Sequence, residues 1–136
     1  MSAFDVFLDH ERHLVLVTAV GQLTKQDGEE IISTARTLAA EYSYYLLYDI
    51  RQATLKIDLA SWYNFPRKLE VYQNLKTRMI KAAVIASPDD KALEDYKFYE
   101  VVTANVGIRL RFFFDEHKAV EWLTQNMLAK KNKNAA

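Results

Sequence analysis

What most constrains this chain is an alternation that runs its whole length. Short apolar stretches rich in β-branched and aromatic residues take turns with longer stretches whose apolar residues recur at helical spacing. After two opening strand-like runs, strands and helices interleave, and that order implies an α/β fold with a mostly parallel sheet joined by right-handed crossovers. "FDVFL" (4–8) and "HLVLVTAV" (13–20) flank the polar "DHER" and predict a hairpin, with Gly21 breaking the chain behind it. Thr24 and Asp27 form a capping pair for a helix in which Ile31, Ile32, Ala35, Leu38 and Ala39 face inward. Lys25, Glu29, Glu30 and Arg36 fall on its wet side. "YYLLYDI" (44–50) lacks alternation, as a strand covered on both faces would, and is expected to end at Asp49 and Arg51 near the sheet centre.

Beyond Arg51 the spacing of Leu59, Trp62, Pro66, Leu69, Tyr72 and Leu75 predicts a short helix, a break near residues 64–66, and a longer helix to about Thr77. "MIKAAVIA" (79–86) is the next strand, and "SPDD" (87–90) predicts a helix capped by Ser87 that runs to about Ala104. "IRLRFFF" (108–114) closes the sheet with Arg109 and Arg111 on its wetter face. Asp115 caps a last helix with Ala119, Val120, Trp122, Leu123 and Met127 as its apolar stripe. The sum is a mixed five-stranded sheet with an N-terminal hairpin and four to five helices. It makes one domain over residues 1–128, with 129–136 as a basic, flexible tail.

At 136 residues, half of them hydrophobic, the chain can bury one core unaided. Its 18 basic and 18 acidic residues cancel, which argues against nucleic acid as a partner. Cysteine is absent, in keeping with a cytoplasmic setting, and no stretch is long and apolar enough for a membrane span. Three glycines leave no room for a glycine-rich phosphate loop.

The opening hairpin, "GQLT", "LLYDIR", "KAAVIA" and above all "RFFFDEHKAVEWL" resemble the SpoIIAA-like branch of the STAS domains, over roughly residues 4–123. The resemblance implies a non-enzymatic domain that binds or regulates. In such antagonists an aspartate ends the central strand, and a serine just after it is phosphorylated by a partner kinase. Asp49 matches the aspartate, but Ile50 and Arg51 follow it, so the phosphoacceptor does not carry over. Thr54 and then Ser61 are the next hydroxyls.

The candidate surface is therefore the loop expected after the central strand, with Asp49, Arg51, Thr54 and Ser61, extended to Arg109. Its occupant would be a protein partner or a small molecule. The plainer alternative is that Asp49 binds its own backbone or a neighbouring cation to fix the strand exit. Tyr48, Trp62, Tyr63 and Phe65 could line a pocket for a small apolar or lipid-like ligand, or be core alone. His10 and His13 flank a turn without a third ligand, and His117 has no evident partner, so no metal or cofactor is indicated. Arg67, Lys68, Lys76, Arg78 and Lys81 read as a solvated basic face. No nucleophile-elbow, P-loop or zincin motif occurs. The one catalytic arrangement left to consider is Asp49 as base with Arg51 as anion clamp. Partly apolar edge strands are also compatible with a homodimer.

Overall fold

The structure is a computed structural model that describes the backbone of residues 3–135 and the side chains of residues 3–125. Its elements are β1 (Ala3–Asp9), β2 (Leu14–Thr24), α1 (Lys25–Tyr42), β3 (Tyr45–Lys56), α2 (Leu59–Lys68), a 3-10 turn (Glu70–Tyr72), α3 (Leu75–Arg78), β4 (Ala82–Ile85), α4 (Leu93–Asn105), β5 (Leu110–Phe113) and α5 (Glu116–Ala135). The strands lie in the order β1-β2-β3-β4-β5. β1 and β2 pair antiparallel, and the remaining pairs are parallel. The expected hairpin and mostly parallel mixed sheet are both present.

Right-handed crossovers between strands added in sequence order place every crossover helix on one face. The cores agree. Val15, Val17, Leu46 and Tyr48 pack with Ile31 of α1, Trp62 of α2 and Tyr96 of α4. Leu14, Leu47, Ala83 and Ile85, pointing the other way, pack under Ala119 and Leu123 of α5. Each large apolar side chain buried in these layers contributes roughly 1.5–3 kcal/mol.

The sheet holds a bulge at its centre. Thr18 pairs with Asp49, but Val20 pairs with Gln52, so β3 carries one more residue than β2 across this step. The extra residue flips the pleat. Leu46, Tyr48 and Ile50 face the larger core before the bulge, and Ala53 and Ile57 face it afterwards. A strand expected to end at Arg51 thereby continues to Lys56 without exposing its apolar side. β2 likewise passes Gly21, where the sequence suggests a break. The glycine takes φ 87 within the strand, a value that costs it little for lack of a Cβ.

The α1 cap forms as expected, with Asp27 N donating to Thr24 Oγ1 (3.3 Å) and Thr24 N donating to Asp27 Oδ2 (2.8 Å). Three helical boundaries differ from expectation. α2 passes through Pro66, whose ring is buried, and stops two residues later at Lys68. A proline so near the end disturbs only the last turn. The long helix expected to follow is instead a 3-10 turn and the four-residue α3, and Leu75 is exposed rather than sharing a buried face. α4 starts at Leu93, because residues 87–90 close a turn of their own, with Asp90 N donating to Ser87 O (3.1 Å). Asp115 does accept from Lys118 N (3.2 Å) at the start of α5. Met127 and the tail at 129–136 lie outside the side chains described.

Candidate functional site

The residues singled out in the sequence do not form one site. Because the pleat alternates, Tyr48 faces α1, α2 and α4, whereas Asp49 lies on the α5 side of the sheet. The segment 49–54 is strand, not loop. Asp49 accepts Arg51 N (3.1 Å), the amide displaced by the bulge, and its two oxygens take Arg51 Nε (3.0 Å) and Nη2 (2.7 Å). The hydrogen bond from the Arg51 side chain holds the Asp49 carboxyl below the usual carboxylate range. Arg51 is raised by Asp49 first, and Glu116 and Asp115 at the start of α5 add to the effect. Thr54 is exposed on the strand, and buried Ser61 gives its amide to the α2 cap Asp58 (2.8 Å). Arg109 sits at the opposite end of the sheet, where β4 and β5 begin, with Nη2 donating to Met79 O (3.1 Å).

Tyr48, Trp62 and Phe65 do converge. With Val17, Ala19 and Tyr99 they line a cavity of about 70 Å³ between the sheet and the helices. Trp62 is the centre of the aromatic packing, 5.7 Å from Phe65 and 4.7 Å from Tyr99 between ring centroids. Gly28 of α1 also borders the cavity; a Cβ there would lie 3.1 Å from Ile57 Cδ1, so glycine permits the close approach. Tyr63 is not part of it. Its ring is exposed under the Arg67 guanidinium at 3.9 Å.

Behind the cavity wall lies a residue that the sequence reading assigned to the wet face of α1. Arg36 is fully buried, 0% exposed. Its Nη1 donates to Thr77 O (3.1 Å) and Ile80 O (2.8 Å), tying α1 to the segment that leads into β4. Its Cζ lies 4.7 Å from the centroid of the Tyr72 ring. Burial works against its charge, and Tyr72, then Tyr48 and Tyr99, outweigh that effect and hold its pKa above the ordinary value. The Tyr72 and Tyr99 hydroxyls share a hydrogen bond of 3.0 Å. Burial pushes the Tyr48 and Tyr99 hydroxyls far above the ordinary phenol range, so these two are neutral at physiological pH. A usable sequence signal existed: Arg36 lies four residues from both Ile32 and Ala40, on the edge of the apolar stripe.

Lys81 also departs from the solvated face expected for it. It is buried, with Nζ donating to Trp122 O (2.6 Å) and lying 4.2 Å from that indole's centroid. His10 Nδ1 bonds Tyr44 Oη (2.8 Å) and His13 stacks on the same ring. His117 is exposed beside Glu121. Among the described residues there is no group of three potential metal ligands, and no helix is long and apolar enough to cross a membrane.

A solved structure from Shewanella loihica PV-4, an uncharacterised protein of the DUF3478 family, superposes with a TM-score of 0.56 at 20% identity. The match covers 90% of this chain and 93% of that one, and the solved protein is described as having a SpoIIAA-like fold. The fold is SpoIIAA-like. The anti-sigma factor antagonist SpoIIAA in its unphosphorylated form is a more distant match, with a TM-score of 0.47 at 14% identity, covering 88% of this chain and 96% of that one. No family model matches the sequence, and no curated protein does. Within the SpoIIAA-like frame, the position expected to hold a regulatory loop is here a strand whose acid and base are joined to each other.

Proposed function

We propose that this chain is a binding domain rather than an enzyme, and that it takes up a small, largely apolar molecule between the sheet and helices α1, α2 and α4. The cavity of about 70 Å³, walled by aliphatic and aromatic side chains that include Trp62 and Phe65, is the observation that carries this reading. An apolar lining of this kind favours apolar guests over water. The alternative of catalysis at Asp49 and Arg51 loses support from their geometry. Both carboxylate oxygens are engaged by the neighbouring guanidinium, which leaves a general base little to offer. Native mass spectrometry of freshly purified protein, paired with thermal-shift titrations of small alcohols and aromatics, tests the proposal. A bound mass or a saturable rise in melting temperature supports it. Absence of both across the series contradicts it.

A second reading, contact with a protein partner, draws on the other face of the sheet. Phe7 is 64% exposed on edge strand β1, and its neighbour across the hairpin, Leu16, lies on the same face. α5 packs against the β3–β5 side of that face. If this surface binds a partner, Phe7→Glu abolishes capture of that partner while leaving the cavity's ligand response intact.

A further inference from the structure

We infer that Arg109 and Arg111 form a binding site for a phosphomonoester where β5 begins, on the face of the sheet that carries α5. The site is separate from the cavity. Leu110 and Phe112 line the cavity, and strand alternation sends Arg109 and Arg111 to the other face, where Tyr45, Phe113 and Trp122 pack with α5.

Three cations meet there around two rings. Lys81, just before β4, has its Nζ 4.2 Å from the Trp122 centroid and 6.0 Å from that of Tyr45. Arg109 Cζ lies 5.7 Å from the same Tyr45 centroid, and Arg111 Cζ lies 5.7 Å from the same Trp122 centroid. Burial lowers the Lys81 pKa below the ordinary lysine value, and Arg109 and Arg111 add to that effect.

No acid balances this charge. Arg12 and Arg51 each hold an aspartate, but no ion pair among the described residues involves Lys81, Arg109 or Arg111. The residues whose side chains are not described, 1–2 and 126–136, include Lys130, Lys131 and Lys133 but no aspartate or glutamate. The Trp122 carbonyl takes Lys81 Nζ (2.6 Å), and Arg109 Nη2 donates to Met79 O (3.1 Å). The contacts described for the Arg111 side chain are with the rings of Phe113 and Trp122. Ring faces attract a cation but leave its N–H donors unanswered.

Access and spacing specify the ligand. Arg109 and Arg111 are exposed, so an anion reaches them from solvent, while buried Lys81 adds its charge from beneath without touching it. Two residues apart on one face of a strand, their backbones are separated by about 6.6 Å, which lets both guanidinium groups converge on one tetrahedral anion. A phosphomonoester carries about −1.5 to −2 charge at pH 7 and three strong acceptor oxygens. It answers two arginine forks and a third cation more fully than a carboxylate, with its single charge and two oxygens.

Isothermal titration of the full chain with phenyl phosphate, diphenyl phosphate and benzoate reads which group is recognised. Phenyl phosphate should bind at least about tenfold more tightly than either of the others, and more weakly as salt is raised. Arg111→Ala removes an exposed side chain; it should weaken phenyl phosphate about tenfold while leaving the far-UV circular dichroism unchanged. In the native chain, phenyl phosphate should also shift the Trp122 indole N–H resonance saturably, a readout that needs no variant. Co-sedimentation with phosphatidylcholine vesicles containing phosphatidic acid identifies the source. Capture that Arg111→Ala abolishes assigns the phosphate to a lipid headgroup, and phenyl phosphate binding without capture assigns it to a soluble ester. Absence of saturable phenyl phosphate binding, equal affinity for the three anions, or affinity indifferent to Arg111→Ala overturns the inference.

Discussion

Asp49 and Arg51 neutralise each other across the β3 bulge, and this turns an apparent catalytic pair into a device for holding the strand. Because Arg51 is substantially exposed, the pair's contribution is that of a surface ion pair. Asp49→Asn should cost ~0.2–1 kcal/mol at pH 7 by urea denaturation. The folded-state pKa of Asp49 lies below its unfolded value near 3.9, so the pair's contribution is present above that value and is lost as pH falls through the folded pKa. The difference between wild type and variant should therefore shrink from pH 5 toward pH 2. A gap that stays constant or widens would show that charge is not its source. The Tyr72–Tyr99 hydroxyl contact is a second local test. Phenylalanine at either position should cost about 1–2 kcal/mol, with a coupling energy of about 1 kcal/mol in the double-mutant cycle. At this scale the sequence was least legible. Asp49 reads as a strand end because charge usually marks one, and no local signal announces a bulge. The sequence puts Arg36 in water because a buried guanidinium without an ion pair is rare; only Tyr72, brought beside it by folding, makes its position intelligible.

Local chemistry set the elements wherever it agreed with packing. Thr24 and Asp27 close the α1 capping box foreseen from their spacing, and Thr24→Ala should lower stability by ~1 kcal/mol in denaturant titrations. Trp62 carries α2. Buried and ringed by Phe65, Tyr96 and Tyr99, it joins α2 to α4, and Trp62→Ala should cost ~3–5 kcal/mol or unfold the chain at 37 °C. A loss below ~1 kcal/mol would mean that α2 is not held by this contact. Where local signals misled, a neighbouring interaction overrode them. Ser87 and Pro88 look like a helix start, yet Asp90 takes Ala92 N (2.9 Å) and the Tyr96 hydroxyl (2.7 Å), and the helix begins after that turn. Gly21 looks like a stop, yet its pairing with Ala53 keeps β2 extended.

For the molecule as a whole, the mostly parallel sheet with its opening hairpin followed from the alternation of strands with helices. Helix placement follows from crossover handedness. The division of functional candidates between the two faces did not, since it depends on the parity of β3 and on the bulge that resets it. That division separates the ion pair at Asp49 from the aromatic cavity under Tyr48, one residue away in sequence. The cavity reading makes a steric demand: Ala19→Leu should fill the space at a cost of about 1–3 kcal/mol while abolishing ligand response. The most direct measurement is amide and methyl chemical-shift mapping by NMR during titration with 1-hexanol. Saturable shifts should cluster at Val17, Ala19, Ile50, Trp62 and Phe65, and should vanish in Ala19→Leu. Shifts confined to Phe7, Val20, Asp49 and Arg51 on the outer face, or no saturable shifts at all, would contradict binding within the fold.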